Sequence, residues 1–132
     1  MEKELIVSSK IENLRLIEKF VDDISAEVKL SSELYGNVLI AILEAANNAI
    51  VHGNKLNEKK NVILKASSAN NYLKITMEDE GPGFDYTNIP DPTSPENIEN
   101  ISGRGVFLMK KLSDSVKFYK NGALAEINFK LS

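Results

Sequence analysis

The chain has 132 residues, 42% of them hydrophobic and 27% charged, enough for one globular domain over residues 1–132 and too short for two ordinary ones. Its net charge of −3, from 19 acidic and 16 basic residues, leaves no long basic run to track a phosphate backbone, so a nucleic-acid partner is disfavoured. The absence of cysteine excludes disulfides and thiolate metal sites, and with no signal-like N-terminus and no uninterrupted apolar run of about 18 residues, a cytoplasmic protein without a membrane segment is expected.

Residues 4–8 (ELIVS) are short and β-prone, with Ser8 or Ser9 placed to cap a following helix. From 11 to 28, Ile11, Leu14, Ile17, Val21, Ile24 and Val28 recur at a helical period, and Phe20 widens the buried stripe. Ser31 or Ser32 restarts the chain as an N-cap. A second helix is predicted over about 33–51. It buries Leu34, Val38, Ala41, Ile42 and Ala45 on one side and is stopped by Gly53-Asn54. Strand-like runs over 61–69 and 72–78 flank Asn70-Asn71, a tight hairpin pair. Residues 81–100 hold all four prolines and little periodicity, which reads as a functional lid. Residues 103–112 read as a glycine-rich turn entering a helix near Val106. Two last strands over 116–120 and 123–131 turn at Asn121-Gly122. The order β-α-α-β-β-lid-α-β-β gives an α+β fold: a two-layer sandwich with a mostly antiparallel, mixed sheet and helices packed on one face.

Three short constellations carry candidate chemistry. Within EAANNAIVHGN, residues four apart share a helix face, so Glu44, Asn48 and His52 stack one turn above another among Ala45, Ala46 and Ala49. A carboxylate and an amide oxygen side by side suit Mg²⁺ and the activation of a hydroxyl, although such a stripe is also the ordinary wet side of an amphipathic helix. Asp79-Glu80-Gly81-Pro82-Gly83 ends a strand. Its glycines allow positive φ and close backbone approach, and Asp79 can accept from an exocyclic amine such as that of adenine; a plain acidic turn has the same composition. Ser102-Gly103-Arg104-Gly105 precedes the third helix, where free N–H groups favour phosphate and Arg104 adds a guanidinium, or where the glycines merely cap. No GxxxxGK[ST] loop is present.

In this order the three resemble the GHKL (Bergerat-fold) ATPase family, which includes sensor histidine kinases and type II topoisomerases. The likeness spans nearly the whole chain. Within the family, FDYTNIPDPTSPENIENISGRGVFLMKKL, with its P-D-P-x-S-P-E-N and S-G-R-G stretches, is similar to the stand-alone anti-sigma factor serine/threonine kinases. The resemblance implies ATP and Mg²⁺ as cofactors and Glu44 as the general base. It implies Asn48 as the Mg²⁺ ligand and Asp79 as the reader of adenine, with Gly81 and Gly83 shaping the turn beneath the base. Gly103, Arg104 and Gly105 would contact phosphate, Arg104 near the γ-phosphate. It also implies a sigma factor and an anti-sigma antagonist with a phosphoacceptor serine as partners, and a homodimer with exposed apolar residues on the first strand and helix. His52 has a counterpart in the family's motif, but a structural role at the helix end is expected; Asn47 is a secondary candidate.

One position departs from the pattern. Relatives commonly begin the last strand with Gly-Thr, whose hydroxyl supports the adenine-reading Asp, whereas Gly122 is followed here by Ala123. Losing that hydrogen bond costs on the order of 1 kcal/mol, about fivefold in affinity. It keeps open an alternative function: a catalytically weak or inactive nucleotide-binding module that only binds sigma.

Overall fold

The computed structural model describes residues 1–84 and 101–132. Most of the expected lid, 85–100, therefore lies outside the described residues. Five strands, β1 (Glu2–Ser8), β2 (Asn61–Ala69), β3 (Tyr72–Glu78), β4 (Ser115–Tyr119) and β5 (Leu124–Lys130), form one sheet in the order β1-β2-β3-β5-β4. Helices α1 (Leu14–Val28), α2 (Ser32–Asn47) and α3 (Ile101–Leu112) pack on one of its faces. Every pairing among the described strands is antiparallel. A crossover of two helices returns the chain antiparallel to β1, β2–β3 and β4–β5 are joined by short turns, and β3 and β5 are neighbours with α3 and β4 between them in the chain.

The β2–β3 hairpin follows from its turn. Asn70 and Asn71 both take positive φ, 53° and 67°, the pair of angles that matches the twist of the flanking strands. Ala69 therefore faces Tyr72, and alternate residues Leu73, Ile75 and Met77 fall on the helix side. Ile75 pairs with Ile127 of β5, and Leu73 with Phe129; all four are fully buried. Ile17, Val21 and Ile24 of α1, Val38 and Ile42 of α2, and Met109 of α3 close the core over them.

Ser31 caps α2, its Oγ accepting from Leu34 N at 3.2 Å. Ser8 and Ser9 do not cap α1. A 3₁₀ turn, Ile11–Asn13, intervenes, Asn13 Nδ2 donates to Ser8 O at 2.8 Å, and Ser9 is buried, donating through Oγ to Lys60 O at 2.8 Å. The helical run Ser32–Gly53, 22 residues with an 18-residue stretch of mean hydropathy 1.4, is long and apolar enough to cross a bilayer on composition alone. Here its apolar side, from Val38 to Ile50, is part of the core.

Candidate functional site

α2 ends at Asn47, four residues before the expected boundary, and Asn48–Gly53 continue as a π-helical turn. Asn54 N donates to Ala49 O, five residues back, at 2.8 Å. On an α-helix the fifth residue along lies about 140° around the axis, so Gly53 would face away from Asn48. The extra residue in the coil brings Gly53 back over that face. Asn48, His52 and Gly53 consequently line one cleft together with Ala45 and Ala49.

The sheet supplies the floor of this cleft through Met77, Asp79, Ala123 and Ala125. Asp79 N donates to Ala123 O at 2.9 Å, extending the β3–β5 ladder one rung past the strand ends. The Asp79 carboxylate accepts from Gly81 N at 2.8 Å through Oδ1. Burial pushes its pKa above the ordinary carboxylate value; the Gly81 N–H opposes this, the Glu78 charge adds to it, and Lys60 opposes it. Two glycines let the carboxylate fit. A Cβ on Gly53 would lie 2.8 Å from Asp79 Oδ1, and one on Gly81 would lie 2.7 Å from the Gly53 carbonyl carbon. Gly83, at φ +87°, brings Phe84 N onto Asn121 O at 2.8 Å. Phe84 then meets Phe118 edge to face at 5.3 Å, and with Met77 and Met109 they give the cleft an apolar wall.

α3 closes the third side. Gly103, Arg104 and Gly105 lie inside its first turns, not in a turn before it. The reason is close packing: a Cβ on Gly105 would lie 2.8 Å from Asn48 Nδ2, so glycine lets the helix pass over Asn48. Asn48 Oδ1 is buried and has no hydrogen-bond partner among the described residues. An orphaned amide oxygen facing a cleft fits a hard cation such as Mg²⁺, which takes one or two protein oxygens and completes its shell from phosphate and water. No cluster of three or more His, Asp or Glu among the described residues offers a fuller cage.

Asn48, Asp79 and Gly83 line this one cleft, and Gly105 packs against Asn48. Glu44 sits one turn before Asn48, half-buried and outside the residues lining the cleft. The Arg104 side chain falls outside the described set. His52 lines the cleft and is exposed, while the helix end is closed by Asn54. From sequence, Gly53 and Asn54 read only as the stop of the helix, and the apolar wall of Met77, Phe84, Met109 and Phe118 did not read as part of a site. The only signal for the wall was that Met77 falls on the buried side of an alternating strand.

Residues 7–130 match the family described as a histidine kinase-like ATPase domain. The chain is 32% identical over 114 residues to an anti-sigma F factor of Clostridium perfringens, covering 84% of this chain and 81% of that protein. It is 27% identical over 128 residues to the serine-protein kinase RsbW of Staphylococcus aureus, covering 92% and 80%. A crystal structure of the RsbU and RsbW domains of a Mycobacterium tuberculosis protein has the same fold, with a TM-score of 0.69 at 15% identity. It covers 99% of this chain, which spans 32% of that longer one. With the family match running over residues 7–130 and the fold in agreement, the chain belongs to the histidine kinase-like ATPase family.

Proposed function

We propose that this protein is an ATP-dependent serine kinase that phosphorylates an anti-sigma antagonist and sequesters a sigma factor. The observation that carries the reading is the pairing of an orphaned buried oxygen, Asn48 Oδ1, with a half-buried carboxylate, Asp79, in one cleft. The first is suited to a metal–phosphate group and the second to a base amine. Similarity to an anti-sigma F factor and to the serine kinase RsbW supports the choice of partners.

In this reading Asp79 accepts from the adenine amino group, and the Met77, Phe84, Met109 and Phe118 wall covers the ring. Gly81 and Gly83 shape the turn beneath it. Asn48 holds Mg²⁺, which supplies charge neutralisation on the phosphates. Gly103, Arg104 and Gly105 run along the phosphate side, Arg104 toward the γ-phosphate. The acceptor serine hydroxyl attacks the γ-phosphorus, its proton passes to Glu44, and ADP leaves. Glu44, half-buried one turn before Asn48, is the carboxylate assigned to this proton. A homodimer accords with the exposure of Ile6 on β1, Ile11 on the 3₁₀ turn and Leu16 on α1. A cytoplasmic location follows from the partners.

The test is incubation with labelled ATP, Mg²⁺ and the antagonist encoded nearby. Phosphoserine is expected with wild type and not with Glu44→Ala, which still binds ATP within about twofold because it lies outside the cleft lining. Absence of phosphoserine with wild type, or turnover by Glu44→Ala equal to wild type, refutes the kinase reading. A second reading, an anti-sigma module without phosphoryl transfer, is favoured by Ala123: it lines the cleft beside Asp79 and offers only its backbone carbonyl there. Tight sigma binding indifferent to ATP, with no turnover, selects it.

A further inference from the structure

Asn54 is 1% exposed, one of two buried polar side chains among the described residues. Its side-chain amide makes three hydrogen bonds, all of them to other chain segments. Its Nδ2 donates to Ser9 Oγ at 2.8 Å and to Asn61 O at 3.0 Å, and its Oδ1 accepts from Glu80 N at 2.7 Å. Glu80 Oε2 in turn accepts from Asn61 N. Asn54, Glu80 and Asn61 thereby close a ring of three hydrogen bonds, and Ser9 anchors the ring by donating to Lys60 O.

The ring joins the two poles of the cleft. On one side Asn54 ends the π turn that carries Asn48; on the other it grips the backbone of the residue following Asp79. The Asp79 carboxylate is also flanked by Gly53, the neighbour of Asn54, and by Gly81. Main chain and side chain of the acid are both referenced to the same coil. An amide is required at position 54, because two donors and one acceptor must point in fixed directions, and only Asn has that set at that length.

We infer that Asn54 is a positioning residue for nucleotide specificity: it holds Asp79 where a base presenting an exocyclic amine, as adenine does, is accepted and one presenting a carbonyl is refused. The inference rests on the nucleotide reading of the cleft. A site built to accept from an amine leaves two acceptors facing each other when a guanine carbonyl enters, and rejects it strongly. A displaced Asp79 loses that discrimination and leaves the metal–phosphate side untouched.

The experiment is calorimetric titration of the full chain with MgATP, MgGTP and Mg²⁺-tripolyphosphate, for wild type, Asn54→Ala and Asn54→Asp. Asn54→Asp keeps the acceptor for Glu80 N but replaces the donors and sets an oxygen against Asn61 O. For both variants ATP affinity is expected to fall about tenfold and the ATP-to-GTP ratio by a similar factor, with tripolyphosphate unchanged within about twofold. A parallel loss of all three ligands marks a merely structural residue and overturns the inference, as does an unchanged ATP-to-GTP ratio. Should both variants melt below the assay temperature, Ser9→Ala decides. It removes one partner of Nδ2 and is expected to lower the ratio about threefold, and an unchanged ratio overturns the inference. Wild type that fails to prefer ATP over GTP refutes the base-reading role of Asp79 itself, a result visible before any variant is compared.

Discussion

Asn48 and Gly105 meet where the π turn faces α3, and the missing Cβ at position 105 is what leaves the Asn48 amide its place, 2.8 Å from where that carbon would lie. Gly105→Ala is expected to displace Asn48 and to lower Mg²⁺-dependent ATP affinity by about tenfold or more, while binding without Mg²⁺ changes little. The helix itself tolerates the change, since alanine is the better helix former by about 1 kcal/mol, so the melting temperature stays near wild type. Titrations with and without Mg²⁺ check this, with Asn48→Ala as the reference.

The raised pKa of Asp79 gives a pH dependence with a definite sign. Burial favours the protonated form in the folded state, so the folded protein binds more protons than the unfolded chain in the window between the ordinary and the raised values. The stability this group contributes is fully present below the ordinary carboxylate pKa and is lost as pH rises through the raised one. Asp79→Asn, which does not titrate, is expected to be more stable than wild type at neutral pH. The advantage shrinks as pH falls through that window. ATP affinity runs the other way, strengthening in wild type as pH rises and Asp79 ionises, and weak and pH-independent over this window in Asp79→Asn. Urea unfolding and calorimetry across a pH series check both.

Ala123 lines the cleft beside Asp79, one rung beyond the strand ends. Ala123→Thr restores a hydroxyl there and is expected to tighten ATP about fivefold. Competition of a fluorescent nucleotide by ATP measures the gain.

Ile75 and Ile127 face each other on neighbouring strands at 0% exposure, under α1 and α2. Ile127→Ala is expected to destabilise the fold by about 2–5 kcal/mol, through lost burial and a cavity the sheet cannot close. A lower urea midpoint at unchanged slope is the signature.

Local chemistry made the β2–β3 hairpin legible, whereas the β4–β5 connection, expected as a two-residue turn at Asn121-Gly122, is a four-residue loop over 120–123 that contains a 3₁₀ turn. Asn70-Asn71 demands positive φ at both positions, and once the turn is set the alternation of Leu73, Ile75 and Met77 fixes which face is buried. The sequence also singled out Asn48 and Asp79 by the small residues beside them, and the structure places both in the lining of one cleft. The π turn was not legible. EAANNAIVHGN has a helical composition throughout, and nothing local marks the surplus residue in its coil, which closes through the backbone bond from Asn54 N to Ala49 O. Gly105 misled for a related reason: glycine ordinarily interrupts a helix, but here the helix runs on and the missing Cβ leaves room for Asn48. Asn54 itself looked like a simple stop signal after Gly53, because nothing local distinguishes a cap from a hub.

The wide coil at 48–53 makes this stretch critical in length and tolerant in kind. Ile50 and Val51 face the core or its edge, where another aliphatic of similar bulk fits. Removing a single residue between Asn48 and Asn54 instead tightens the coil to ordinary pitch, swings Gly53 off the acid and breaks the cleft at its hinge. Variation in this segment is therefore expected as exchange of side chains, not as insertion or deletion.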